Sequence, residues 1–160
     1  MENNSLEYSN IVFDAKPDAV PYNYRISYKV SQLCLIMRIC GRSDVCSLVK
    51  LHMVSFALIS QNNMKRLLDY IEDKGNPPLV RFDPSVNNAL TFAIAYGLIE
   101  QQPTAKFKLT SCGCQLADQI LNVGDLMVEE IGELKTLSKK LTEARINELI
   151  DMWRIQDVEN

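Results

Sequence analysis

The stretch DPSVNNALTFAIAYGLIEQQPTAKFKLTSCGCQLADQIL, residues 83–121, constrains its own folding more than any other part of the chain. Asp83 reads as a helix cap, Pro84 suits the first helical position, where its missing N–H costs nothing, and Gly97 stands at the far end. Val86, Leu90 and Ala93 define a buried face with Ala89 and Ile94 beside it, Phe92 falls at the border, and Asn87, Asn88, Thr91 and Ala95 point outward. LIE and KFKLT then alternate as two short strands around QQPTA, and Thr110 or Ser111 opens another helix. Preceded by packed helices, this hairpin and the helix after it predict a winged helix. The expected fold class is therefore mainly α: a helical bundle containing a winged helix, with a carboxy-terminal helical extension.

The rest of the chain divides around that unit. Residues 1–23, of mixed polarity with Pro17 and Pro21, read as an extended arm with one short strand around Ile11 to Phe13. Residues 24–121 read as the winged-helix domain. Within it Ile26, Val30, Leu33, Met37 and Cys40 line one face of a helix ended by Gly41. A second helix, VCSLVKLHMVSFALIS, capped by Ser43 or Asp44, is apolar around most of its circumference and is expected at the centre of the bundle. A third, with Met64, Leu67, Leu68 and Ile71, stops at Gly75, and LVRF reads as a strand. Residues 122–160 read as the extension, in which Ile120, Met127, Leu134 and Leu141 recur every seven residues, with Val123 and Leu137 between them. That predicts a long helix ending near Leu141, a cap at Thr142 and a short helix to about Trp153.

Charge and chemistry narrow the functions. Residues 1–80 carry nine basic and eight acidic side chains, residues 81–110 three and two, and residues 111–160 five and ten. A polyanion is repelled by the last third, so a nucleic-acid contact has to use the middle of the chain. No run of about 18 apolar residues could span a bilayer, and the opening MENNSLEYSN is unlike a secretory or transit signal, so a cytoplasmic setting is expected. Cys34, Cys40, Cys46, Cys112 and Cys114 are odd in number and contain no CxxC pair, which favours buried reduced thiols. Cys34, Cys40, Cys46 and His52 are evenly spaced by six, but six helical steps scatter such ligands around the axis. One histidine, no recognisable nucleophile setting and no phosphate-cradling glycine loop predict that the chain is not an enzyme and needs no cofactor or metal.

Two sets of binding residues follow. For DNA, Asn87 and Asn88 on the outer face of the helix before the hairpin can pair with adenine, while Arg81, Lys106 and Lys108 can reach phosphates. That helix carries no lysine or arginine, so DNA contact is expected to be weak or indirect. For a protein partner, Phe92 together with Leu134, Leu137, Leu141, Ile146, Leu149 and Trp153 offers apolar surface that can close on another chain.

The run SLVKLHMVSFAL, followed by NNALTFAIAYGLIE and KFKLTSCGCQLADQI, resembles the middle components of bacterial ABC-three-component systems, whose best-known members are accessory subunits of Lamassu-type anti-phage defence. The likeness covers about residues 24–153. It implies a non-catalytic adaptor seated on an SMC- or Rad50-like ATPase, beside an effector subunit that is often a nuclease. Such subunits are similar to the kite proteins that attend SMC complexes; kite proteins usually carry tandem winged helices, whereas one wing is readable here. The alternative expectation is a free-standing winged-helix transcriptional regulator.

Overall fold

The structure is a computed structural model that describes residues 25–78 and 80–159. The expected arm and its strand lie outside those residues. Among these residues, seven helices and three short strands follow in the order α1 (Ile26–Cys40), β1 (Val45–Cys46), α2 (Leu48–Ala57), α3 (Gln61–Ile71), α4 (Pro84–Ala95), β2 (Ile99–Gln101), β3 (Phe107–Leu109), α5 (Ser111–Val123), α6 (Val128–Leu137) and α7 (Glu143–Glu159). The fold is mainly helical with one small antiparallel sheet ordered β1-β3-β2.

The helix starts follow from local chemistry. Ser47, Ser60, Asp83, Thr110 and Thr142 each accept a hydrogen bond from a first-turn N–H, at 2.9–3.2 Å, satisfying donors that have no partner inside the helix. The second helix therefore begins at Ser47 and not at Ser43 or Asp44. Those two residues adopt φ of 55° and 62°, which turns the chain back so that Val45 and Cys46 pair with Lys108 and Phe107. The turn is clamped by Arg38, whose guanidinium donates to Asp44 at 3.0 Å and, through two nitrogens, to Asp118 of α5 at 3.0 and 3.1 Å. Of the expected strand LVRF, the described residues Val80, Arg81 and Phe82 are irregular, and the third strand is β1 instead.

The centre belongs to α1. Leu33, Cys34, Leu35, Ile36 and Met37 are consecutive and wholly buried, because α2, α4, α5, α6 and β3 all pack around this helix. Gly41 is required at its end for space: a Cβ there would lie 2.5 Å from the Met37 carbonyl oxygen. The second helix shares the core through Leu51, Met53 and Val54 without being its sole axis.

The expected long carboxy-terminal helix is broken. Gly124 (φ 83°) and Met127 (φ 50°) are left-handed, so α5 stops, the chain bends, and α6 starts anew. Thr142 is indeed a cap, and α7 runs beyond Trp153 to Glu159. Each piece turns its apolar side inward, so the seven-residue repeat marks core positions on separate elements. Leu134, Leu137, Leu141 and Leu149 are completely buried and Ile146 nearly so, all within the same apolar cluster as α1 and the sheet. Burial on that scale stabilises by about 1.5–3 kcal/mol per side chain. Arg145 ties α7 to the end of α3, donating to the Tyr70 carbonyl at 3.0 Å and pairing with Asp73. No helix among the described residues is long and apolar enough to cross a membrane.

Candidate functional site

Three features converge on α4 and the hairpin. The first is the outer face of α4. Asn87, Asn88, Thr91 and Phe92 are exposed, and no lysine or arginine lies on the helix. Phe92, 37 % exposed, stacks on Tyr96, 68 % exposed, with ring centroids 4.4 Å apart. Ile94, expected beside the buried face, is exposed as well, on the opposite flank of the helix from this stack. Tyr96 follows the last helical turn, which is why helical spacing alone passed over it.

The second is a basic cavity of about 680 Å³ between the hairpin and the carboxy-terminal segment, lined by Arg42, Lys50, Lys106, Lys139 and Glu143 among others. Glu143 is engaged, accepting from the Ser47 N–H at 2.9 Å. Lys50 is buried and donates to the Cys40 carbonyl at 2.8 Å. Lys106 is the one expected DNA contact found here. Lys108 stands mid-strand in β3, in register with Val45 on one side and Glu100 on the other. Sequence spacing could not show this cluster, since its four cations come from the β1 turn, α2, the hairpin and the α6–α7 connection.

The third is His52. Its Nδ1 accepts from the backbone N–H of Asp83 at 3.3 Å, which leaves the ring proton on Nε2, and Nε2 donates to Asn87 Oδ1 at 3.1 Å. Burial pushes its pKa down, against the pull of the Asn87 hydrogen bond and nearby Asp83. Both ring nitrogens are thus committed to holding the start of α4 on α2, and Phe82 leans on the ring at 4.7 Å. Asn87 is accordingly half committed to the fold, while Asn88 remains on the outer face. Arg81 is exposed and lines a different cavity from Lys106, so the residues expected to hold DNA do not form one track.

The partner residues divide. Leu134, Leu137, Leu141, Ile146 and Leu149 are corrected to core: they are buried within this chain, because the bends at Gly124 and Ser138 fold the seam back on α1 and α2. Trp153 is half-buried against that core. Phe92 alone of the set is exposed. Beyond Trp153, Ile155 and Val158 are exposed apolar residues on α7 that the shorter expected helix did not include, and Met152, just before it, is exposed too.

The cysteines are free; burial pushes the Cys34, Cys40 and Cys46 thiols up to about 12. Among the described residues, His, Cys, Asp and Glu form no group arranged to hold a metal ion. Compared with protein families, curated proteins and solved structures, the chain finds no match.

Proposed function

We propose that the chain is a non-catalytic adaptor subunit with a winged-helix unit, seated on an SMC- or Rad50-like ATPase in a defence complex that also carries an effector, as the middle components it resembles imply. The observation that carries this reading is the outer face of α4. The winged-helix comparison is supported by the sheet order β1-β3-β2 and by α4 leading straight into the hairpin. In a DNA reader, that position presents donors and cations to bases and phosphates. Here it presents the Phe92–Tyr96 stack with no cation, a surface suited to desolvation against protein.

The test is co-expression with the products of the neighbouring genes, among which this reading requires an SMC- or Rad50-like ATPase. Wild type is expected to co-purify with it, and Phe92→Glu with Tyr96→Glu to abolish co-purification while the monomer keeps its melting temperature. Absence of the wild-type complex, or an undiminished complex with the double variant, overturns the assignment. The regulator reading is favoured by one observation, the four cations of the basic cavity. It requires a preferred operator sequence whose recognition is lost in Asn88→Ala; binding that is indifferent to sequence and weakens with salt is what the adaptor reading expects.

A further inference from the structure

A separate cavity of about 340 Å³ lies where α1, α2 and the start of α4 meet. Its polar wall is formed by Lys29, Ser55 and Arg81, and its apolar wall by Phe56, Ile59 and Phe82. Two of the polar groups are left incomplete by the fold. Lys29 is only 2 % exposed, yet its ammonium makes a single hydrogen bond, to Gln32 Oε1 at 3.3 Å, and no ion pair among the described residues. Ser55 is 2 % exposed and its hydroxyl has no partner among the described residues. A helical serine ordinarily satisfies itself on the carbonyl four residues earlier, and this one does not. Leaving a buried ammonium and a buried hydroxyl short of acceptors is costly in a folded protein.

The other charged groups around the cavity do not complete them. Asp83 is the one carboxylate among the described residues on its wall, and its Oδ1 is taken up in capping α4 through the Ser85 N–H at 2.9 Å. Burial works against that carboxylate, but its hydrogen bonds and the nearby Lys29 and His52 keep its pKa below the usual range, so it stays ionised and offers no donor. His52 is neutral, with both nitrogens already committed. The missing component is therefore a group with several acceptors and negative charge.

We propose that this cavity binds the oxyanion head of a small molecule through Lys29, Ser55 and Arg81, with the molecule's apolar body lying against Phe56, Ile59 and Phe82. Lys29 supplies the buried charge, Ser55 a hydroxyl donor, and Arg81, which is exposed at the rim, a planar fork that closes over the head. The site is independent of the α4 face and of the basic cavity beneath the hairpin.

Thermal unfolding in inorganic phosphate, phenyl phosphate, benzyl alcohol and sodium chloride at matched ionic strength tests the proposal. Phosphate should raise the wild-type Tm saturably, by about 5–10 °C at a hundred times Kd, and phenyl phosphate should do so at lower concentration. Chloride and benzyl alcohol should not. Lys29→Met should begin with an equal or higher Tm, since the buried charge is gone, and lose the phosphate response; Ser55→Ala should weaken it. Lys139→Glu, in the other cavity, should retain it. The proposal is overturned if phosphate acts no differently from chloride, if benzyl alcohol matches phenyl phosphate, or if Lys29→Met responds like wild type. Should Lys29→Met fail to fold, Arg81→Ala on the surface takes its place, and an unchanged response there overturns the proposal equally.

Discussion

Two glycines in helices should respond to the same substitution with opposite signs. A Cβ on Gly113, in the first turn of α5, would lie 2.1 Å from the Leu98 carbonyl oxygen and 2.8 Å from Leu109 Cδ2. Ordinary contacts between non-bonded heavy atoms are about 3.5 Å, so α5 would have to withdraw by more than about 1 Å or push the start of β2 aside. The obstructing atom is backbone, and it already accepts a 3.0 Å hydrogen bond from the Thr110 N–H, so the neighbour cannot yield without loosening the joint between hairpin and helix. Overpacking of this kind costs about 1–3 kcal/mol and a weakened hydrogen bond about 1 kcal/mol more, against at most about 1 kcal/mol gained from alanine's helix propensity. Gly113→Ala should therefore destabilise by about 1–3 kcal/mol, lowering Tm by about 2–12 °C. Gly132 in α6 has nothing within 4 Å of its would-be Cβ, so Gly132→Ala should stabilise by about 0.5–1 kcal/mol through propensity alone. Urea unfolding of both variants, with equal m-values, is the measurement. Stabilisation by both substitutions would refute the close packing of α5 on Leu98, and with it the placement of the hairpin.

The carboxy-terminal leucines give a second test: Leu137→Ala should cost about 2–5 kcal/mol in urea unfolding, and Leu137→Glu should leave no cooperatively folding monomer, as befits a fully buried side chain. A Leu137→Glu protein with wild-type stability would return that seam to the surface. The third concerns pH. His52 is held neutral in the fold, with its pKa lowered from 6.5, so its contribution is complete above about pH 6.5 and is lost as pH falls below it, when the unfolded chain takes up the proton first. Unfolding free energy should drop by up to about 1.4 kcal/mol per pH unit in that window, and the difference between wild type and His52→Gln should shrink correspondingly from pH 7.5 to 5.5. An unchanged difference would mean that His52 is not the buried neutral latch.

How far the chain could be read without its structure depended on whether the deciding interaction was local. Asp83–Pro84 at the start of α4, the hairpin, the Thr110 cap and the Thr142 cap were legible because each is settled by side chains and backbone groups within a few residues of one another. Helical spacing likewise picked Val86, Leu90, Leu134 and Leu141 as apolar-face residues. It could not say what those faces would meet, since a buried seam and a docking seam have the same periodicity. Burial of Leu137 and Leu149 was decided only when the bends at Gly124, Met127 and Ser138 folded the seam back on α1 and α2, and a heptad pattern carries no signal for such a reversal. The same holds for β1, whose two residues resemble the start of a helix until β3 arrives from some sixty positions along the chain to pair with them. The incomplete Lys29 and Ser55, and the three cations around Lys106, are likewise products of tertiary structure. Their environment is set by which distant groups surround them, and a buried charge or unsatisfied hydroxyl has no counterpart in a pattern of neighbours along the sequence.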